Sequence, residues 1–170
     1  MPAASSSRTI LLTGTVGSGK TAVMLAIGEL LDAVERPYAL VDLDWLAWLR
    51  PGAMTVDEVL AENLQAVAET FRRAGVERLV LACYVERRNQ LEALRAALSG
   101  AELFVVRLAA PPLVIEARLR RRDTGAELEE HLAFAQREEP AGLEDAVVDS
   151  GDRPLEEVAR DVLDAAGWPL

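Results

Sequence analysis

"TILLTGTVGSGKTAVMLAI", Thr9 to Ile27, is the stretch whose reading decides the fold. Ile10 to Thr13 is a short apolar run that stops at Gly14, which reads as a buried strand. From Lys20 to about Asp32 the apolar residues Val23, Met24, Ile27, Leu30 and Leu31 recur at helical spacing. Between strand and helix lies GTVGSGKT, Gly14 to Thr21. Lys20 is the only lysine in the chain; every other one of the 18 basic residues is arginine.

This spacing satisfies GxxxxGK(S/T) in the context the pattern requires, after a strand and opening a helix. The glycines permit a tight turn and bring backbone N–H groups close to phosphate oxygens. The helix N-terminus adds the positive end of its dipole. Nucleotide binding is therefore expected at Gly14, Val16, Gly17, Ser18, Gly19, Lys20, Thr21 and Ala22. In this arrangement Lys20 reaches the β- and γ-phosphates, and the Thr21 hydroxyl ligates Mg²⁺. A compact ammonium suits that place better than the wide planar fork of arginine. A nucleotide and Mg²⁺ are the ligands implied.

The chain has 170 residues, 51% hydrophobic and 27% charged, enough for one domain with a real core. Its net charge of −10 argues against non-specific nucleic-acid binding, which relies on basic patches. One cysteine, Cys83, excludes an internal disulfide and a Cys-based zinc site. One histidine, His131, excludes a His-rich metal site, and we read it as a surface residue. No apolar run approaches the roughly 20 residues of a membrane span. "MPAASSSR" lacks the apolar core of a signal peptide. We expect residues 1–8 to be a disordered tail and 9–170 a single domain of a cytoplasmic protein. No nucleic-acid or membrane partner is expected, and the state is monomer or homodimer.

Strands and helices alternate along the rest of the chain. Tyr38 to Leu43 reads as a second strand, tipped by Asp42 and Asp44. A helix follows whose Thr55 and Glu58 form a candidate capping box, with Gly75 as its stop. "ERLVLACYV" reads as a third strand, continuously apolar as one buried on both faces should be. A helix from about Arg88 to Leu98, the strand "AELFVVRLAAP" and a helix from Leu113 to Arg122 opened by Pro112 come next. Gly125 marks a break before a polar helix from Glu127 to Glu139. The strand "DAVVDSG" and a last helix ending at Gly167 complete the pattern. Uniformly apolar strands alternating with helices predict an open parallel sheet covered on both faces, a three-layer α/β fold.

With the P-loop in place, the chain resembles the P-loop small-molecule kinases: adenylylsulfate, shikimate, gluconate and nucleotide kinases. The resemblance spans nearly the whole chain in element order and implies a five-stranded parallel sheet in order 2-3-1-4-5. It also implies a short lid, here about residues 118–130. In that family an acidic pair like "VDLDW" faces the P-loop. By position, Asp42 would orient Mg²⁺ or its waters, and Asp44 would contact the acceptor hydroxyl as positioning group or general base. The alternative is an acidic turn in which Asp44 caps the next helix. "RLRRRD" resembles the arginines that open the family's lid, so Arg118, Arg121 and Arg122 would neutralise phosphate charge. The alternative is a solvated basic helix end, with Arg122 paired to Asp123.

Acceptor-side candidates are Glu86, Arg87 and Arg88 in "CYVERR", and Trp45 and Trp48 as an aromatic wall. Gly151, Asp152 and Arg153 in "DSGDRP" sit where the family places its adenine loop, so Arg153 is a nucleotide-binding candidate. Cys83 reads as a small buried hydrophobe. Ala47 stands where adenylylsulfate kinases carry an arginine, and "CYV" where shikimate kinases carry a glycine run. No proline lies inside the P-loop, unlike adenylate-type kinases. The third strand ends "LVLACYV" without the acid that motor and ABC ATPases need, and no NKxD guanine motif is present. The resulting expectation is transfer of the ATP γ-phosphoryl group to a hydroxyl of a small metabolite or nucleoside-like acceptor. The alternative is a non-catalytic or regulatory nucleotide-binding protein.

Overall fold

The structure, a computed structural model, describes residues 8–50, 52–140, 142–168 and 170. Five strands form one parallel sheet: β1 Arg8–Thr13, β2 Tyr38–Asp42, β3 Arg78–Ala82, β4 Glu102–Ala109 and β5 Ala146–Asp149. Their order is β2-β3-β1-β4-β5, as the resemblance implied. Every pair of neighbours is parallel, and β1 lies between β3 and β4. The helices are α1 Lys20–Asp32, α2 Val56–Arg73, α3 Arg88–Ala97, α4 Pro112–Arg122, α5 Gly125–Ala135 and α6 Leu155–Ala165.

Side chains alternate across a strand, so β1 feeds two cores at once. Ile10 and Leu12 pack with Val23, Ile27 and Leu31 of α1 and Val158 and Val162 of α6. Leu11 faces the other way, with Leu64 of α2 and Leu91 and Leu94 of α3. Both clusters are fully enclosed at their centres, which is why the central strands read as unbroken apolar runs. Gly28 lets α1 lie close on β2: a Cβ there would stand 2.8 Å from Leu40 Cδ1.

Several boundaries differ from the sequence expectation, each for a local reason. The tail expected over 1–8 lies outside the described residues up to Ser7, but Arg8 is already in β1, paired with Arg78 and Glu102. β3 stops at Ala82, and by Val85 the backbone N–H donates to the Thr13 hydroxyl instead of a ladder partner. The break before α5 falls at Asp123–Thr124, and Gly125 is the first helical residue. α5 ends at Ala135, short of the expected Glu139. The turn between α4 and α5 is held by buried Asp123, whose carboxylate accepts from Arg122 (2.6 Å) and hydrogen-bonds His131 Nδ1 (2.7 Å). These bonds hold the Asp123 carboxyl down at a pKa of about 2.

The capping box of α2 is present in full. Thr55 Oγ1 accepts from the Glu58 N–H, and the Glu58 carboxylate accepts from the Thr55 N–H at 2.7 Å. Thr55→Ala is expected to lower unfolding free energy by about 1 kcal/mol, measured by urea denaturation with an unchanged m-value.

Candidate active site

The C-terminal ends of β1, β2 and β3 converge on one edge of the sheet, where the Gly14–Thr21 loop turns into α1. Three glycines of that loop hold positive φ: Gly14 (129°), Gly17 (82°) and Gly19 (99°). At Gly14 no side chain fits, because a Cβ would stand 2.5 Å from the Leu108 carbonyl oxygen. At Gly17 it would press on Ile115 and Leu119 of α4. Gly19 precedes α1 without a side-chain cap, and the first turn of α1 has no acidic residue. Among the described residues, the N–H groups of Gly17, Gly19, Lys20 and Thr21 have no protein acceptor. Unmet donors at a helix N-terminus are an anion site. The residues present therefore fit a nucleotide phosphate.

Lys20 is folded back over this loop, donating to the Gly14 carbonyl (2.8 Å) and the Thr15 carbonyl (3.1 Å). Burial pulls its pKa down, opposed chiefly by the nearby Asp44 carboxylate and also by Asp42 and Glu139. Thr21 Oγ1 donates to Asp42 Oδ2 at 2.9 Å. A hydroxyl and a carboxylate in contact beside an anion site form an oxygen donor set suited to Mg²⁺. These are the two residues expected to hold the metal.

Asp42 ends β2 and caps a short 3-10 helix, Leu43–Ala47, by accepting from the Asp44 N–H at 3.2 Å. The capping role weighed for Asp44 thus belongs to Asp42, and the Asp44 carboxylate has no hydrogen-bond partner among the described residues. Desolvation raises the pKa of Asp44, the Asp42 charge raises it further, and Lys20 opposes both. Asp44 also lines a cavity of about 250 Å³ between the 3-10 helix, α2, α3 and the loop after β3. Leu43, Val56, Leu60, Val85 and Leu94 give it an apolar body. Cys83 lines it too, with burial pushing its thiol pKa up to about 12, so the sulfur stays neutral.

The other sequence candidates fall in different places. Arg118 Nη1 and Nη2 donate to four carbonyls: Gly17 (3.3 Å), Ser18 (3.5 Å), Ser150 and Gly151 (2.6 Å each). It clasps the P-loop to the β5–α6 connection. Arg122 is engaged by Asp123 and lies 3.2 Å from His131, the pairing weighed as the alternative. Arg121 is exposed and has no partner among the described residues. Arg153 donates to the Asp149 carbonyl and to Asp161 (2.8 Å), beside the loop that Arg118 holds. Arg87 pairs with Glu86 (3.0 Å) and Asp57 (3.3 Å), while Arg88 donates to the Gly142 carbonyl. Trp45 and Trp48 do not line the cavity. They stack on each other, ring centres 5.1 Å apart, and are 71% and 78% exposed.

Sequence reasoning missed three contacts here. The Glu139 carboxylate accepts from the Thr15 N–H and from Arg107 (3.0 Å), bringing the segment after α5 onto the P-loop. Phe134 of α5 packs edge-on against Tyr84, a cavity residue, at 4.9 Å. Asp57 and Gln90 meet across the cavity, Gln90 Nε2 donating to Asp57 Oδ1 at 3.3 Å. No local pattern signals any of these, since each joins segments far apart in sequence.

No protein-family model and no curated protein sequence matches the chain. Solved structures do. A gluconokinase from Sinorhizobium meliloti is 26% identical over 95% of this chain and 93% of its own, with a TM-score of 0.61. An APS kinase from Mycobacterium tuberculosis is 22% identical, covering 94% and 97%, with a TM-score of 0.66. A shikimate kinase from Bacteroides thetaiotaomicron is 18% identical, covering 92% and 97%, with a TM-score of 0.57. No helix among the described residues is long and apolar enough to cross a membrane. The strand order, the P-loop at the end of β1 and these neighbours agree: the chain has the fold of the P-loop small-molecule kinases.

Proposed function

We propose that the chain is an ATP-dependent kinase that phosphorylates a hydroxyl of a small acceptor. The observation that carries this is the Asp44 carboxylate, which has no hydrogen-bond partner among the described residues, lies near the P-loop lysine and lines the cavity. ATP would lie along the Gly14–Ala22 loop, with Gly14, Val16, Gly17, Ser18 and Gly19 supplying backbone contacts. Mg²⁺ held by Thr21 and Asp42 would neutralise phosphate charge when bound. Lys20 would exchange its two carbonyl partners for phosphate oxygens. Asp44 would accept the acceptor's proton or fix its hydroxyl in line, and burial beside Asp42 raises its pKa, which makes the carboxylate a stronger proton acceptor than an unperturbed aspartate. Arg118 positions the loop, Arg153 flanks the base side, and Arg121 and Arg122 stand on the lid helix. The reading is of a cytoplasmic monomer or homodimer without nucleic-acid or membrane partners.

Asp44→Asn is expected to cut transfer by roughly 100- to 10,000-fold while leaving ATP affinity nearly intact, read by coupled ADP release and calorimetry. Transfer retained by this variant would contradict the role of Asp44. ATP binding without turnover on any alcohol in the wild type would favour a regulatory nucleotide-binding protein. In the free protein, a carboxyl NMR titration should place Asp44 above the ordinary value of about 3.9. The base is then lost at a higher pH than an unperturbed aspartate would lose it. Lys20→Ala should lose roughly 100-fold or more of the transfer rate, and full activity in this variant would refute the P-loop assignment. ATP–Mg²⁺ should increase hydrogen-exchange protection across residues 118–130. Equal protection with and without nucleotide would argue against a lid there.

A further inference from the structure

The cavity beside Asp44 carries more chemistry than its place in the fold requires. Its polar side chains are Asp44, Asp57 and Gln90, together with the neutral thiol of Cys83 and the Tyr84 phenol. No lysine, arginine or histidine lines it among the described residues. The nearest arginine along the chain, Arg87, already faces two carboxylates, Glu86 and Asp57. An anionic ligand group placed here would face the Asp44 and Asp57 carboxylates with no cationic side chain in the lining to meet it. A hydroxyl or amine, by contrast, would meet acceptors on Asp44 and Asp57. The remaining lining is aliphatic, and the volume of about 250 Å³ falls just below the roughly 300–1,000 Å³ of common small-molecule pockets.

The 3-10 helix carries the argument past the pocket wall. Leu43, Asp44 and Ala47 line the cavity, while Trp45 and Trp48 of the same segment stack in solvent. The two exposed indoles, Trp45 on that helix and Trp48 just after it, are near enough in sequence to Asp44 to report on its surroundings by their emission.

We propose that the acceptor is an alcohol with an apolar body and hydrogen-bond donors but no anionic group. This deepens the kinase reading and rests on it for the identity of Asp44 as the residue met by the reacting hydroxyl. In the transfer, the acceptor oxygen forms the new P–O bond and the bond from the γ-phosphorus to the bridging oxygen of ADP breaks. The hydroxyl proton passes to Asp44. Asp57, held by Arg87 and Gln90, selects against carboxylates, sulfates and phosphates and receives an O–H or N–H donor.

The test is binding, so that charge preference is read whether or not turnover occurs. With a non-hydrolysable ATP analogue and Mg²⁺ present, tryptophan emission is followed during titration with three probes of one skeleton: phenylpropanediol, phenylalaninol and phenyl-lactate. The diol and the amino alcohol should bind, and phenyl-lactate should bind roughly 100-fold more weakly. Asp57→Asn should shrink that gap roughly tenfold, and Asp57→Glu should restore it. Phenyl-lactate binding within tenfold of the diol, or no binding by either non-anionic probe at millimolar concentration, would overturn the assignment. The expected order of binding with no ADP release from ATP would support this class of ligand for the cavity and count against the kinase reading instead.

Discussion

The site depends on the backbone turn at Gly14. With φ at 129° and the Leu108 carbonyl oxygen where a Cβ would need to be, only glycine permits β1 to turn there. That turn leads into a loop whose Gly17, Gly19, Lys20 and Thr21 N–H groups have no protein acceptor among the described residues, and α1 starts without a side-chain cap. The contrast with α2 is instructive. That helix closes its N-terminus with Thr55 and Glu58 and adds Asp57 to the first turn. An N-terminus with acids and a capping box satisfies itself. One with glycines and no acid is left to be satisfied by something anionic from outside.

The same edge of the sheet holds charge at a cost. Burial pulls the Lys20 pKa down and pushes the Asp44 pKa up, so each group is held toward its neutral form although they attract one another. A raised folded pKa for Asp44 means that its ionised form opposes folding above its unfolded pKa, and the penalty eases as pH falls. Phosphate beside Lys20 and a divalent cation beside Asp42 would offset these costs, so ligand binding would stabilise the fold as well as load the site. Arg118 grips the loop through its backbone. Its bonds to four carbonyls link the P-loop, α4 and the β5–α6 connection.

Much of this was legible because it is local. The P-loop, the capping box of α2 and the acidic pair after β2 each lie within a few residues of sequence. Alternation of apolar strands and helices predicts the parallel sheet, while the strand order came from resemblance to the kinases. The rest was not legible because it is long-range or depends on one torsion. Asp42 and not Asp44 caps the 3-10 helix, since β2 ends one residue earlier than Leu43. Trp45 lies in the 3-10 helix and Trp48 just past its end, where the chain has left helical torsions, and the two rings stack on each other outside the cavity. Glu139 reaches Thr15 across most of the chain. His131 and Glu127 meet Asp123 only because α5 folds back on α4.

Phosphorus NMR of ATP–Mg²⁺ incubated with the protein and a pool of uncharged and amino alcohols tests the central claim most directly. The account predicts loss of the γ-phosphate signal matched by growth of a new phosphomonoester resonance, with ADP formed in equal amount. Conversion of the γ signal to inorganic phosphate alone, or an unchanged ATP spectrum while ATP is bound, would contradict it.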